Sequence, residues 1–393
     1  MKILIVASWY PRDRDPVGGV FIEDQALALA TRHDVAVIAP DVRTLRSLRR
    51  DGRPAGFRID IRGGIPVARP SFLVPPRRVT GWALGRVYER QVRIAYRALA
   101  ASWGRPDILH AHVAFPGGWS AVRLGHSLGL PVVLTEHAAP FAIHFEQGRF
   151  WRTASEWALR NADATIAVSD GLRRQIQAAV GVDAVVAGNA FDADFFSPGL
   201  RPRSGGPFRF VAVAILTPRK GIDVLMRACR MMLDSGVTGW ELVVGGDGGS
   251  RADLERLTDE LRLRPHVRFA GRLDREGVRD LLRSADAFVL ASNHENLPGV
   301  VAEAMLTDLP VIATRCGGPE YMVPEGFGRL VPVRDPGALA RAMSDAVAGR
   351  IGAEPGAARA HAVAEFGREA FLARVEAIYE RTLRGAGKGP ATA

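Results

Sequence analysis

Short apolar runs alternate along this chain with longer stretches in which apolar residues recur every three or four positions. The short runs predict strands, because β-branched and aliphatic residues fill them and turn residues bound them. They occupy residues 2–7, 34–39, 107–111, 131–136 and 164–168, and then 210–214, 241–245, 267–270, 287–291 and 311–313. The longer stretches, which include 21–31 and 117–128, predict helices. Such alternation predicts the α/β class, with parallel sheets and crossover helices.

The pattern breaks at residues 197–207, where Ser, Pro, Gly and Arg give the composition of a linker. We therefore expect two doubly wound domains, at 1–196 and 208–365, joined by a hinge. Ligands of open α/β sheets bind outside the carboxyl ends of the strands, so two facing sheets would place a site in the cleft between them. A last helical pattern, at 366–385, lies beyond the elements that are needed to complete the second doubly wound domain. The tail after it is predicted to fray.

Bulk composition predicts a globular protein of the cytoplasm. Hydrophobic residues make up 47% of the 393 positions, which is ample for packed cores. Two cysteines, Cys229 and Cys316, argue against a disulfide framework and fit a reducing compartment. The apolar N-terminus leads into Trp9 rather than a small-residue cleavage site, and no apolar run approaches the roughly 18 residues of a spanning helix. We expect a chain that is soluble, or peripheral at the inner face of the cell membrane.

The positive charge is concentrated in one segment. The formal charge is +10, and residues 41–100 alone hold fourteen arginines against four acids. Their aromatic residues lack the spacing of a base-stacking platform, and no helix-turn-helix, zinc or RNA-binding pattern is present, so nucleic acid is not an expected partner. Two interpretations stay open: attraction to an anionic membrane surface or anionic acceptor, and an arginine-rich solvated face.

The segment from His294 to Met305 carries the clearest chemistry. Glu295 and Glu303 stand eight positions apart around Pro298 and Gly299. Proline favours the first helical position, so Glu295 is predicted in the loop before a helix and Glu303 in its early turns. The N–H groups of a helix start suit a phosphate, and two nearby carboxylates suit the hydroxyls of a ribose and a hexose. The pattern predicts a nucleotide-sugar site.

Residues 292–323 resemble the donor-site signature of the retaining glycosyltransferases of family 4. The glutamate pair is followed at family spacing by Pro310-Val311-Ile312-Ala313 and by Gly317-Gly318-Pro319-Glu320. The resemblance implies the GT-B fold of two facing Rossmann-like domains, with a C-terminal helix at 366–385 that crosses back to the first, acceptor-side domain. It also implies that Glu295 contacts the sugar and that Glu303 holds the ribose. The donor loop that it implies comprises Asn296, Leu297, Pro298 and Gly299.

Lys220 is one of only three lysines in the chain, and the others lie near the ends. It resembles the family's phosphate lysine; a solvated loop cation is the plainer alternative. The family usually has an arginine five positions earlier, where this chain has Ile215. We expect Arg219 to supply that second cation, since a guanidinium binds two phosphate oxygens together.

Two glycine clusters are further candidates. The run 245–249 fails the G-x-G-x-x-G test of a dinucleotide fold, because Arg251 stands where the third glycine is required. It resembles the family's glycine turn after a strand, with Gly246 close to the nucleotide. Gly18 and Gly19 precede a helix and resemble the family's first phosphate or acceptor loop, although a plain turn has the same composition.

The histidines His112 and His137 follow two predicted strands. With Glu136 they meet the ligand count of a metal site, but no supporting Asp or Cys spacing is present and the family uses no metal, so none is expected. The resemblance places His137 beside the transferred sugar and His112 behind it or in the core. His126 and His144 are expected on the surface or in packing.

These signals predict a retaining, metal-independent hexosyltransferase. The co-substrate is expected to be a nucleotide sugar, most often UDP-linked in this family, and no other cofactor is expected. The N-terminal stretch 9–25 resembles polysaccharide-type members, so the acceptor is a glycan or a lipid-linked or small molecule in surface-glycan assembly. A natural-product glycosyltransferase and a GT-B sugar-nucleotide epimerase remain alternatives. A non-catalytic binding protein is disfavoured, because Lys220 and both glutamates are present.

Overall fold

The computed structural model describes residues 1–12, 15, 17–43, 56–74, 81–199, 206–352 and 354–386. These residues form two compact units. The first comprises Met1–Ala190 together with the C-terminal helix from Phe371, and the second comprises Phe191–Ala370.

The first unit is a sheet covered by helices. Its strands are β1 (Lys2–Ala7), β2 (Asp34–Ile38), β3 (Asp41–Arg43), β4 (Gly56–Arg62), β5 (Ile65–Leu73), β6 (Ile108–His112), β7 (Val132–Glu136), β8 (Ala164–Ala167) and β9 (Val185–Val186). Its helices are α1 (Val20–Ala30), α2 (Gly81–Trp103), α3 (Trp119–Leu128), α4 (Ile143–Glu146), α5 (Arg149–Asn161) and α6 (Asp170–Val180). The strands run in the order β3-β5-β2-β1-β6-β7-β8-β9, and β4 pairs with β5. All of these pairings are parallel except the hairpin of β4 and β5.

The second unit is a parallel sheet of the doubly wound type. Its strands are β10 (Phe208–Val213), β11 (Trp240–Gly245), β12 (Val267–Gly271), β13 (Ala287–Leu290), β14 (Val311–Thr314) and β15 (Gly328–Val331), in the order β12-β11-β10-β13-β14-β15. Its helices are α7 (Ile222–Asp234), α8 (Arg251–Glu260), α9 (Arg275–Arg283), α10 (Gly299–Leu306), α11 (Pro319–Met322), α12 (Pro336–Val347) and α13 (Ala357–Phe366). Buried residues on both faces of the sheet form two cores. The predicted α/β class is confirmed.

The ten predicted strands agree with the observed ones to within two residues at every end, because the apolar runs fill strands that are mostly buried on both faces. The elements between residues 41 and 103 have no counterpart among the predictions. There, β4 and β5 form a hairpin around Gly63 and Gly64, whose φ angles are +56° and +80°. Positive φ at both central residues is the geometry of a tight two-residue turn, and glycine permits it without strain.

The chain passes between the units twice. It first does so at Ala190–Phe191, before the segment 197–207 that the sequence predicts as a linker. Phe191 and Phe196 explain this difference, since both are buried in a core of the second unit. The second passage is in helix α14 (Arg368–Ala386). Its apolar face packs into the core of the first unit through Phe371, Leu372, Val375, Ile378 and Tyr379. None of the described helices is long and apolar enough to span a bilayer.

Candidate functional site

Lys220 and Glu295 form an ion pair in the second unit. Lys220 ends a single 3₁₀ turn after β10, and its Nζ lies 2.5 Å from Oε1 of Glu295. The Ser292 hydroxyl donates to the same carboxylate oxygen over 2.7 Å. The Glu295 side chain is buried and the Lys220 side chain is largely so. A buried carboxylate that is paired and hydrogen-bonded in this way has a fixed orientation.

Backbone contacts fix the loop that carries Glu295. Its N–H donates to the carbonyl of Cys316 over 2.9 Å, and its own carbonyl accepts from the N–H of Gly318 over 3.0 Å. Gly317 has a φ of +114°, and a Cβ there would lie 2.6 Å from the Glu295 carbonyl oxygen. A Cβ on Gly318 would lie 2.5 Å from Cδ of Pro298. The paired glycines therefore let the loops after β13 and β14 approach each other.

The donor loop leads directly into helix α10. Asn296 and Pro298 are buried, and Leu297 is partly buried. Pro298 is extended, with φ −69° and ψ 105°, and is the residue before the helix, so α10 begins at Gly299, one position later than the sequence suggests. Glu303 lies four residues into this helix and is partly buried. The free N–H groups of the helix start therefore follow Glu295 within a few residues.

The turn that carries Lys220 is tied to the Glu295 loop. The N–H of Asn293 donates to the carbonyl of Arg219 over 2.8 Å, and the Asn293 side-chain amide donates to the carbonyl of Pro218 over 3.3 Å. Gly221 follows with φ +62°, and a Cβ there would lie 2.0 Å from the carbonyl oxygen of Ala291. Arg219 belongs to this turn and is partly buried, whereas the side chain of Ile215 is 61% exposed.

Gly246 lies where the chain leaves β11. Its φ is +119°, and a Cβ would lie 1.9 Å from the carbonyl oxygen of Ala214, at the end of β10. Its N–H donates to the carbonyl of Gly271 over 2.7 Å, at the end of β12. Close contact between neighbouring strand exits is thus a reason for glycine here that does not depend on a ligand.

In the first unit, Gly18, Gly19 and His137 lie in one region. Gly19 precedes α1 with φ +79°, and a Cβ there would lie 2.5 Å from the carbonyl carbon of Trp9. Gly18 donates its N–H to Asp15 over 3.1 Å, which makes this a tight turn, while Pro16 lies outside the described residues. The ring of Phe21 in α1 lies 4.7 Å from that of His137.

His137 ends a buried row of three histidines. Its Nε2 lies 3.0 Å from Nδ1 of His112, and the His112 ring lies 4.3 Å from that of His110. The Nδ1 of His110 is bonded to the Tyr379 hydroxyl at 2.6 Å, and its Nε2 lies 2.7 Å from Oγ1 of Thr135. Burial lowers the pKa of His137 to about 4, although Glu136 opposes the shift, and lowers that of His110 to about 3. The pKa of His112 also falls well below its usual value through burial. All three rings are therefore neutral at pH 7.

Glu136 joins two loops and is not available to a ligand. Its Oε1 accepts the N–H groups of His137 and Ala138, both at 2.7 Å, and its Oε2 accepts that of Ala114 at 2.8 Å. His144, which is buried, lies 3.2 Å from Oε2. Burial opposes ionisation, but His144 and the backbone donors outweigh it and lower the pKa of Glu136 to about 2. Within the described ranges, no three His, Cys, Asp or Glu side chains are grouped as metal ligands would be.

Two contacts at these sites involve residues that the sequence analysis did not single out. Ser292 orients Glu295, and the only sequence signal for it is the S-x-x-E spacing, which normally predicts a helix capping box. Tyr379 supports His110 from a helix near the end of the chain, and no local pattern predicts that contact.

Comparison with known proteins assigns the family. Residues 18–195 match the family Glycosyltransferase Family 4, and residues 201–368 match Glycosyl transferases group 1. The chain is 32% identical over 367 residues to the putative teichuronic acid biosynthesis glycosyltransferase TuaC of Bacillus subtilis, covering 88% of each chain. It is 31% identical over 249 residues to a phosphatidyl-myo-inositol mannosyltransferase of Mycobacterium tuberculosis, covering 61% of this chain and 63% of that one.

Solved structures share the fold over nearly the whole length. A sucrose-phosphate synthase from Thermosynechococcus elongatus superposes with a TM-score of 0.74 at 20% identity, covering 98% of this chain and 99% of that one. HepE of Anabaena in complex with UDP gives a TM-score of 0.71 at 20% identity, covering 97% and 100%. The chain is thus a GT-B glycosyltransferase, with two Rossmann-like domains, and it belongs to glycosyltransferase family 4.

Proposed function

We propose that this glycosyltransferase moves a hexose, with retention of anomeric configuration and without a metal ion, from a UDP-linked sugar to an acceptor in cell-surface glycan assembly. The Bacillus relative named for teichuronic acid biosynthesis supports the glycan acceptor. Anabaena HepE, solved with UDP and with UDP-glucose, supports the donor class.

The observation that carries the proposal is the ion pair of Lys220 and Glu295, 2.5 Å apart and screened from water. The ammonium of Lys220 has three N–H donors, so it can hold the carboxylate and a donor phosphate together. A lysine held in place before the substrate arrives stabilises leaving-group charge without reorganisation. The carboxylate of Glu295 would face the positive charge that develops on the sugar ring.

The proposed step needs no separate base. The bond between the anomeric carbon and the phosphate oxygen breaks, and the acceptor oxygen bonds to that carbon on the same face. The acceptor proton passes to the departing phosphate oxygen, which leaves with the nucleoside diphosphate. Lys220 and Arg219 would balance the negative charge on that group, and the start of α10 would supply N–H donors. Glu303 would hold the ribose and so fix the nucleotide.

His137 would have a binding role. Its ring is neutral at pH 7, so it would contact a sugar hydroxyl without adding charge. Gly18 and Gly19, near the same ring, would let a ligand approach the backbone at the start of α1.

Two measurements test this proposal. Calorimetry with UDP, GDP and ADP should show that UDP binds most tightly, and binding should weaken in Lys220→Met; a preference for GDP or ADP would replace the nucleotide assignment. NMR of the product should show the anomeric configuration of the donor, with turnover unchanged in excess EDTA; inversion or loss of turnover would overturn the retaining or metal-free assignment.

The alternatives differ in acceptor dependence. Nucleotide release that requires a glycan or lipid-linked acceptor supports the proposal, whereas release with small soluble aglycones indicates a natural-product enzyme. Nucleotide release or sugar isomerisation with no acceptor at all would indicate an epimerase.

A further inference from the structure

A cavity of about 600 Å³ lies in the second unit, beside the turn that follows β10. Its walls come from that turn, from the N-terminal halves of α7 and α8, and from the loop that leads into α12. Small-molecule sites have volumes of about 300–1,000 Å³, so this cavity is of a suitable size. Lys220 and Glu295 are not among the residues that line it, and the cavity is therefore distinct from their ion pair.

Two arginines of the cavity wall have no counter-charge. Arg227 lies in α7 and Arg334 lies in the loop before α12, and both side chains are exposed. Neither arginine forms an ion pair or a side-chain hydrogen bond with any residue that the structure describes. Asp253 also lines the cavity, but it is bound to Arg256 over 2.6 Å and does not neutralise them. The cavity therefore favours an anionic group, which a guanidinium binds through two N–H donors together.

The cavity also contains groups that suit the hydroxyls of a sugar. Thr217 precedes the 3₁₀ turn and Ser250 precedes α8, yet neither side chain caps the helix that follows it. Within the described part of the chain, the carboxylate of Asp223 forms no ion pair. Ile222 and Leu254 are buried and supply apolar surface. Two hydroxyls and a carboxylate can bind sugar hydroxyls while the apolar side chains contact the carbon face of the ring.

The same wall of the cavity holds both members of the Lys220–Glu295 ion pair. Thr217 and Pro218 line the cavity and begin the turn that ends at Lys220. Asn293 lines it too; its side-chain amide donates to the carbonyl of Pro218 over 3.3 Å, two positions before Glu295. A ligand in the cavity would therefore contact the two segments that carry the ion pair.

We propose that this cavity binds a sugar phosphate and that its occupancy strengthens nucleotide binding at Lys220. Arg227 and Arg334 would bind the phosphate, and Asp223 with the two hydroxyls would bind the sugar. A ligand that holds the turn in place before the nucleotide arrives lowers the cost of ordering it, so the two ligands should bind cooperatively. Binding in the cavity is independent of the proposed transfer reaction, whereas its effect on the nucleotide rests on the proposed function.

Calorimetry on the full chain tests for the site with chosen probes. Glucose 1-phosphate or glucose 6-phosphate should bind, and glucose should not bind at the same concentration because it has no charge for the arginines. Inorganic phosphate should bind at least about tenfold more weakly than the better ester, since it lacks the sugar. Binding of neither ester at millimolar concentration would overturn the site, and equal binding of inorganic phosphate would overturn recognition of the sugar. Tighter binding of UMP than of either ester to Lys220→Met would overturn the sugar phosphate in favour of a nucleotide.

Two variants assign the binding to the cavity. Arg227→Gln and Arg334→Gly should each weaken binding of the sugar phosphate at least about tenfold, the scale for loss of one charged hydrogen bond. Arg334 has a φ of +57°, which glycine adopts without strain, so Arg334→Gly should not lower the Tm.

The second unit offers a matched control for each variant. Arg262 has a φ of +55° and is exposed, as Arg334 is, and Arg329 is a second exposed arginine. Neither lines the cavity or forms an ion pair with a described residue. Arg262→Gly and Arg329→Gln should bind the sugar phosphate like the wild type. Equal losses in these controls and in the cavity variants would overturn the assignment to the cavity.

Titrations with UDP distinguish the cavity from the donor site. A saturating sugar phosphate should tighten UDP binding at least about fivefold, and saturating UDP should tighten sugar phosphate binding by the same factor. Arg227→Gln should lose this coupling and bind UDP alone like the wild type. Displacement of the sugar phosphate by UDP would overturn a separate site, and unchanged affinities would overturn the link to the turn. Lys220→Met should weaken UDP binding and still bind the sugar phosphate, so failure of the cavity site and failure of the proposed function are told apart.

Discussion

The hydroxyl of Tyr379 lies 2.6 Å from Nδ1 of His110, although 269 positions separate the two residues. Both side chains are fully buried, and the contact joins the last helix of the chain to the central strands of the first unit. It is one end of the histidine row that terminates at His137. The C-terminal helix is therefore part of the support for a residue that we propose contacts the sugar.

Replacing Tyr379 by Phe should destabilise the first unit. The substitution keeps the ring but leaves Nδ1 of His110 buried without a partner, which costs on the order of 1–3 kcal/mol. Differential scanning calorimetry should show a lower Tm, and Tyr321→Phe, at a position that is 42% exposed, should leave it unchanged. An unaltered Tm for Tyr379→Phe would show that the hydrogen bond has no net effect on stability.

Stability should fall as the pH falls below about 6.5. The folded-state pKa values of His110 and His137 are about 3 and 4, so the unfolded chain binds protons in this range that the native protein does not. Each such histidine lowers the free energy of unfolding by up to about 1.4 kcal/mol per pH unit. Below about 4.5, Glu136 adds a loss of the same sign, because its folded-state pKa is about 2.

Denaturant unfolding at a series of pH values measures this slope. The slope between pH 6.5 and 4 should become shallower in His137→Gln and should stay unchanged in His126→Gln, which alters an exposed histidine. A wild-type stability that is constant over this range would contradict the burial of neutral histidines.

The two glutamates of the donor loop should differ in kinetic effect. Glu303→Ala should weaken nucleotide binding, because this carboxylate is proposed to hold the ribose, whereas Glu295→Ala should mainly lower kcat. Calorimetry with UDP measures the effect on nucleotide binding independently of the effect on kcat. Equal UDP affinity in the wild type and Glu303→Ala would remove Glu303 from the nucleotide site.

Arg219 should contribute to turnover as the second cation of the diphosphate site. Arg219→Ala should lower kcat with the nucleotide sugar by on the order of tenfold to a thousandfold, the scale for loss of one preorganised donor. The Tm should barely change, and Arg230→Ala, on the neighbouring helix, should leave kcat unaltered. If Arg219→Ala retains wild-type turnover while Lys220→Ala is inactive, Arg219 has no part in the reaction.

Local sequence patterns were enough for the elements that carry the candidate site. The strands were predictable because apolar runs fill them, and the start of α10 because Pro298 precedes it. The contact of Lys220 with Glu295 joins positions 75 apart, so only the topology of the second sheet brings them together. The role of Glu136 was not predictable for a similar reason, since its partners are backbone N–H groups, which no local residue pattern identifies.

For the elements of residues 41–103, by contrast, the local sequence pattern was not enough to predict the structure. Phe57, Ile59 and Ile61 alternate with Arg58, Asp60 and Arg62 as in any half-buried strand. The structure leaves the apolar side exposed and uses the polar side in ion pairs, such as Arg62 with Glu23. An alternating sequence pattern indicates that the two faces of a strand differ in polarity. It does not indicate which of the two faces the rest of the protein covers.

The return of helix α14 to the first unit also sets an order of synthesis. A ribosome completes the second unit, which ends at Ala370, before it has made Phe371 to Tyr379, the residues that fill a gap in the core of the first. The core of the half that is translated first is thus complete only after the last helix has been made. A nascent or prematurely terminated chain would expose the apolar surface of its N-terminal half, so chain termination before residue 371 would damage the part of the molecule farthest from it in sequence.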